Sequence, residues 1–498
     1  MDHSGRPRYR QRFRLPHLID IGGLADRVFA LRVEKCLFWG LIALITLSPI
    51  PLGGNRPWAW SIMQAAAFLM LSVWLVMWAL GRAKPTEALR KAWPLMVLFL
   101  LWTVFQFLQT VPLPPDWVAA LSPQAALRHA AANTIADPNR WIPLSVEPHA
   151  SGVAAMKSAA YLAVLVLVLL LLSNRDRVKT FAYSVVASGL VLSVYGVLLH
   201  LGEVTHEWFG TTIVHGAAAS ATYPNRNHFA GWLEMALALG IGLLIADLRD
   251  RRYETWRHFW RAMIQLVFSP KIRLRLYLSV MVIALVTTHS RMGNTAFFSS
   301  LIVAGVIGLI MTRHAPRGTA LLLASLVAID LFIVGSWFGV EKLAKRFEQT
   351  TVQEFQERQD PSDFVFSQIN DFPLFGAGAG TFYVVFPQYR GANVVSYYDY
   401  AHNDYAQMAA ETGWIGFGIT GAMVLLCLGV ALRAQWVRRD PLMRGMAFAS
   451  IMGMTAILIH SWVDFNLQIP ANAQLFVVLM ALAWVTLHLE RKSTPDKS

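Results

Sequence analysis

Charge is what this 498-residue chain lacks: only 15% of its residues are Asp, Glu, Lys or Arg. A soluble globular protein carries about 25%, so there is too little charge here to solvate a surface of this size. The shortage excludes a soluble enzyme, a disordered scaffold and a fibrous protein. Cysteine is nearly absent as well, with Cys36 and Cys427 in or beside apolar stretches far apart in sequence. Two such thiols suggest neither a disulfide framework nor a metal site. No spacing of His, Cys, Asp or Glu argues for a metal, and no cofactor is expected. Acids are scarcer than bases, 30 against 43, which leaves a formal net charge of +13. No internal repeat and no low-complexity stretch is visible.

What fills the chain is apolar: 55% of residues are hydrophobic and the mean hydropathy is +0.45. Runs near 20 residues recur, and they predict an all-α polytopic membrane protein of about 12 transmembrane helices. The expected spans are 36–53, 58–80, 92–111, 152–173, 178–201, 224–247, 274–289, 293–312, 318–338, 403–432, 443–463 and 470–490. Each is about long enough to cross a ~30 Å hydrocarbon core.

Lys and Arg alternate sharply between the connections. Residues 1–35 hold eight (Arg6, Arg8, Arg10, Arg12, Arg14, Arg27, Arg32 and Lys35), and 248–275 hold eight more. The other even-numbered connections and the C-terminal tail are basic too. By the positive-inside rule that side is cytoplasmic, with both termini inside. The excess charge is therefore topology, not nucleic-acid binding, and the basic arm also suits anionic membrane lipids. No cleaved signal peptide is expected, because the arm is long and a full hydrophobic helix follows it. The expected organisation is a cytoplasmic basic arm (1–35), helices one to nine (36–338), a periplasmic loop subdomain (339–402), helices ten to twelve (403–490) and a cytoplasmic tail (491–498). The loop is the longest outer segment and the one rich in acids, with a helix expected over 341–359.

Polar residues collect at the outer mouths of the helices, where ionisable groups are costly and default to function. The run from Tyr223 to Ala230 opens the sixth helix with Arg226, Asn227 and His228 behind a proline suited to a helix start. Exposed N–H groups and the positive dipole end make such a terminus attractive to anions. The plain alternative is an interfacial cap with a snorkelling Arg. Residues 289–294 form a tight outer turn holding Ser290 and Arg291, the one charge in roughly forty apolar residues. It would simply anchor helix ends, were outer positives not so rare. The third mouth, His402 to Gly416, enters the tenth helix. A His there has an unperturbed pKa of about 6.5 and can take a proton near neutral pH. Read as a helix, it puts His402 beside Tyr405 and Ala406, with Asn403, Gln407 and Glu411 on an adjacent face. Between helices eleven and twelve, His460 and Asp464 stand four apart, as a site wall or supporting pair.

Other features carry less. The Gly376–Gly380 run lacks the strand–loop–helix setting of a dinucleotide site and reads as a turn. Glu234 and Asp330 are buried acids without a visible relay, better suited to structural hydrogen bonds. Trp58, Trp60, Trp117, Trp141, Trp208, Trp337, Trp414 and Trp462 suit an interfacial belt, with Trp414 and Trp462 also placed to stack on sugar.

These residues together resemble a known family. His402, Asn403, nine residues, Gly413, two residues and Gly416 are similar to the signature of the bacterial O-antigen ligase family. Ser290-Arg291 on an outer turn resembles it too, as does the run from Pro224 to Ala230. Residues 371–382, DFPLFGAGAGTF, resemble the outer loop of these ligases and of the related O-antigen polymerases. The run from Asp464 to Asn472 is similar to members near exopolysaccharide functions. The likeness covers about 180–470.

The resemblance implies a fold related to class C glycosyltransferases and a polyprenyl-diphosphate-linked glycan donor used on the periplasmic face. It implies His402 at the catalytic centre, Arg291 at the diphosphate and Arg226 as a second phosphate contact. Asn227, His228, Ser290, Asn403, Gln407, Glu411, His460 and Asp464 are then candidate substrate-binding residues. The chemistry agrees, since Arg presents a planar two-pronged fork to phosphate and His402 would take the proton of an attacking hydroxyl. Two arginines on the diphosphate would leave no cation obligatory, and direct displacement would invert the anomeric centre.

Three readings stay open. A ligase would pass the glycan to an acceptor such as lipid A-core. A polymerase would pass it to a growing polysaccharide. A lipid-linked glycan flippase would do no chemistry, but would need polar residues near mid-membrane and matching broken halves.

Overall fold

The computed structural model of the protein describes residues 21–132, 140–247, 270–311, 364–391 and 397–489. Among these, eleven long helices dominate. They are α1 (Ile21–Leu47), α2 (Pro57–Ala79), α3 (Trp93–Leu108), α4 (Pro148–Leu171), α5 (Arg175–Leu201), α6 (Arg226–Ala246), α7 (Pro270–Thr287), α8 (Arg291–Met311), α9 (Asp404–Val437), α10 (Pro441–His460) and α11 (Pro470–His488). Eight of them, all but α1, α3 and α7, are long and apolar enough to cross a membrane. The chain is an all-α polytopic membrane protein. Helix is the form such a segment must take, because hydrocarbon offers its backbone no other hydrogen-bond partner.

Each described long helix overlaps an expected span. The ninth span, 318–338, lies outside the described residues with Asp330 and Trp337. So do residues 1–20, 248–269 and 490–498, and 339–363 and 392–396 of the loop, with the helix expected over 341–359.

Three boundaries differ from expectation in ways that matter. Helix α1 begins at Ile21, so part of the basic arm is helical, and it stops at Leu47 before a turn and a short 3-10 segment. The outer connection 202–223 carries a two-stranded antiparallel hairpin, Thr205–Trp208 with Thr211–Val214. Helix α9 runs to Val437 but breaks at Gly413, and His402 precedes it rather than lying on its face.

Helices α6 and α11 are almost wholly enclosed, while α2 and α9 line the periphery. The most extensive packing is between α6 and α10. Their backbones cross at Gly242 and Gly445, where a Cβ on either would strike the other's carbonyl oxygen. Small residues permit this approach, which suits helix pairs in lipid. Two smaller apolar clusters lie at the end of the bundle where α9 starts. One joins Val118, Ala125, Ile142 and Leu144 to Phe372, Ala377 and Val385; the other joins Val365, Ile369, Phe382 and Phe386 to Ala401, Ala406 and Ala409. Residues 364–391 are thereby packed against the start of α9.

Candidate functional site

Three helices begin at one end of the bundle with a small polar cap directly beside a charged or titratable residue. At α6, Asn225 accepts a 2.8 Å bond from the Asn227 N–H, which sets Arg226 and His228 in the first turn. At α8, the Ser290 hydroxyl accepts from the Gly293 N–H at 3.1 Å, and Arg291 is the first helical residue. At α9, Asn403 accepts from the Ala406 N–H at 3.0 Å, immediately after His402. Such caps occupy N–H groups that a helix start leaves unpaired.

These mouths adjoin one another. A Cβ on Gly293 would lie 2.7 Å from the Ala230 Cβ, so the first turns of α8 and α6 meet without a gap. The Ala219 N–H donates to the Thr287 carbonyl, and His289 lies 2.9 Å from the Ala217 carbonyl, which ties the α7–α8 turn to the segment leading into α6. Phe465 links α6 to α9: its ring stands edge-on to His228 at 4.5 Å and to His402 at 4.8 Å. Tyr400 stacks on the other side of Phe465 at 4.5 Å, and Tyr398 stands edge-on to His402. His402 itself sits at φ +52. Arg226 is half-buried and Arg291 is exposed.

The fourth cluster closes the floor. Asp404 accepts from the Ser461 hydroxyl at 2.7 Å, the Leu467 N–H at 3.0 Å and the Gln468 amide at 3.2 Å, pinning the α10–α11 connection to the start of α9. Asp464, enclosed in that connection, lies 3.4 Å from His228 Nε2 and accepts a 2.8 Å bond from the Phe465 N–H. Burial alone would push its carboxyl upward, but the contact with His228 and the charge of His228 and His460 outweigh this and hold it well below the ordinary carboxylate range. His460 ends α10, and its shortest contact is not Asp464 but Glu234 of α6, at 2.7 Å. Glu234, expected to make a structural hydrogen bond, makes it there. Asn472 donates to the His228 carbonyl and to Asn466, and accepts from the Tyr223 hydroxyl.

Gln407 and Glu411 face the protein interior. One Glu411 oxygen accepts from the Gly380 N–H at 2.8 Å; the other accepts from Phe382 N–H and the Gln407 amide. Gln407 in turn accepts from the Ala401 N–H at 3.0 Å. These two residues therefore fasten the glycine-rich turn to the peptide just before His402. That turn is irregular, with Gly376, Gly378 and Gly380 at positive φ. At the Gly413 break, the N–H groups of Trp414 and Ile415 donate to the carbonyls of Pro373 and Leu374. The spacing from His402 to Gly413 is thus the length of one helical segment that starts at the mouth and ends where the outer loop docks. Trp414 and Trp462 are exposed, and Trp462 leans on Tyr405.

Sequence reasoning missed Phe465, Asp404, Tyr400 and Asn472 as parts of this arrangement. Phe465 and Asn472 stood within the motif beginning at Asp464, but nothing in one dimension places an aromatic between two histidines.

The turn at Ser290, the glycine-rich loop and His402 all fall in one stretch. Residues 276–421 match the family model described as O-antigen ligase. The likeness drawn from the motifs is thereby shown, and it supports a glycosyltransferase of O-antigen ligase or polymerase type in a multi-pass membrane protein. The matched stretch runs from α7 into α9 and leaves Arg226, His228 and Asp464 outside it. No curated protein matches the chain.

Proposed function

We propose that the protein is an inner-membrane ligase-type glycosyltransferase that moves a glycan from a polyprenyl diphosphate to an acceptor hydroxyl on the periplasmic face. The observation that carries this reading is the meeting of three mouths: α8 against α6 at Gly293 and Ala230, and α6 with α9 through Phe465. In this reading Arg291 and Arg226 hold the donor diphosphate. His402 takes the proton of the acceptor hydroxyl, worth roughly 10²–10⁴ in rate. The oxygen attacks the anomeric carbon, the bond to the diphosphate breaks, and the configuration inverts. The arginines stabilise the charge gained by the leaving oxygen, so the transfer needs no metal. Lipid A-core is the expected acceptor, and a growing polysaccharide would make the same chemistry a polymerase.

Deleting the gene and separating surface glycans from the polyprenyl-linked pool tests the reading. Long chains stranded on the lipid carrier beside bare acceptor are the expected result. Single repeat units with no long chain anywhere would replace ligase by polymerase. Purified protein that carries the donor across liposomes without forming a glycosidic bond would overturn transfer altogether.

A further inference from the structure

Two buried side chains that the transfer scheme does not use, Gln407 and Glu411, stand one turn apart on α9. Both are engaged by the protein itself. Glu411 Oε2 accepts from the Gly380 N–H at 2.8 Å, and Oε1 accepts from the Phe382 N–H at 3.2 Å and the Gln407 amide at 3.1 Å. Gln407 Oε1 accepts from the Ala401 N–H at 3.0 Å. A continuous chain of hydrogen bonds thus runs from the glycine-rich turn, through one carboxylate and one amide, to the residue that precedes His402.

Each end of this chain is tied to the frame. The Gln109 amide donates to the Phe375 carbonyl at 2.7 Å, and its oxygen accepts from the Ala379 N–H at 3.1 Å. The Ser151 hydroxyl donates to the Ala379 carbonyl at 2.9 Å. Beyond His402, the Asp404 N–H donates to the Ser461 carbonyl at 2.9 Å, and Asn403 caps the first turn of α9. His402 is therefore one residue at φ +52 between two anchored neighbours. A side chain at positive φ is held at a cost, and such a conformation persists where the surroundings over-determine it. The bond from Ala401 to Gln407 is the anchor on the loop side.

We propose that Gln407 and Glu411 are positioning residues that align His402 while residues 376–382 are docked, so that the loop and the base act as one unit. This rests on reading His402 as the base. Neither side chain touches substrate; each acts through the backbone at His402.

The order of donors and acceptors makes the inference testable. Both ends of the chain are N–H donors, so the two side chains between them must turn an acceptor to each end and share one donor. A carboxylate with an amide does this. Two amides cannot, because whichever way they turn, an NH₂ group faces another N–H. E411Q therefore breaks the chain, and E411Q/Q407E restores it from Gly380 to Ala401. Q407M cuts the link to Ala401 but leaves Glu411 its contacts with Gly380 and Phe382. G378A acts from outside the chain, since a Cβ there, at φ +117, would lie 2.3 Å from Ser145 Oγ and the turn must shift.

His402 stands edge-on to Phe465 and Tyr398, so the resonances of its ring report where it lies. The test records them in the full chain in lipid bilayers, assigned by their loss in H402N. E411Q, Q407M and G378A should each displace them, and E411Q/Q407E should return them toward wild type. Q407M conserves volume and keeps the test open if the others do not fold. An unmoved resonance in any folded member of the three, or no return in the double variant, overturns the inference.

Single-turnover transfer gives the second readout. E411Q and Q407M should lower the rate about 10²-fold with polyprenyl diphosphate binding unchanged, and the double variant should recover most of it. Unchanged turnover overturns the inference. So does a loss of donor binding equal to the loss of rate, which would make the two residues substrate contacts. A wild type that forms no glycosidic bond overturns the transfer reading, while the His402 resonance still decides the positioning.

Discussion

His402 occupies a left-handed backbone conformation just outside a helix, held between Tyr398 and Phe465. A non-glycine residue bears that conformation at a cost of roughly 1–2 kcal/mol, and Asn is among the residues that tolerate it. H402N would therefore remove the proposed base while sparing the backbone. It should lower turnover by roughly 10²–10⁴ and leave polyprenyl diphosphate binding unchanged. R291K should do the reverse in kind, keeping charge but losing the fork, with binding weakened on the order of tenfold. Isothermal titration and a single-turnover assay read the two effects separately; equal turnover in H402N and wild type would remove His402 from the chemistry. These residues were legible because Arg and His stand out against greasy sequence. The Glu234–His460 contact was not, since its partners lie on α6 and α10, 226 positions apart. Proximity across that distance is made by packing, which residue types do not announce.

At the scale of the element, the unexpected feature is the break in α9. Gly413 combines positive φ with extended ψ, φ 63 and ψ −174, a region essentially reserved for glycine. A Cβ there would also strike the Leu374 backbone. G413A should therefore cost about 1–3 kcal/mol, release residues 373–375 from the helix and slacken the peptide before His402. G421A is the control, because a Cβ at Gly421 meets nothing and Ala is the better helix former by roughly 0.5–1 kcal/mol. Thermal unfolding in detergent should show a lowered midpoint for the first and an equal or raised one for the second. A G413A protein as stable as wild type would mean that the break is incidental. The sequence signature contained this glycine but not its meaning, because a helical pattern continues straight through it. The existence of the described long helices was legible, since twenty apolar residues have few other uses. Boundaries were less so: α1 begins inside a basic stretch that the hydropathy reading left outside the first span.

For the whole molecule, the decisive property is which end faces out. Hydrogen bonds and packing gather the starts of α6, α8 and α9 with the ends of α7 and α10 at one end of the bundle. Arg175, Asp440 and the C-terminus of α11 lie at the other. By the positive-inside rule, the basic residues along 270–275 and 433–444 favour the cytoplasm for the second end, and our proposal that the first is periplasmic follows from this. Single cysteines in a C36S/C427S background test this. A membrane-impermeant maleimide should label T212C in the exposed outer hairpin of intact spheroplasts, and R439C only after the membrane is opened. The reverse pattern would put Arg226, Arg291 and His402 in the cytoplasm, and a donor consumed on the periplasmic face would never meet them. Orientation therefore constrains function more tightly than any single side chain does. It follows from charge that the sequence displays openly, while the contacts that join the three mouths emerge only when the helices pack.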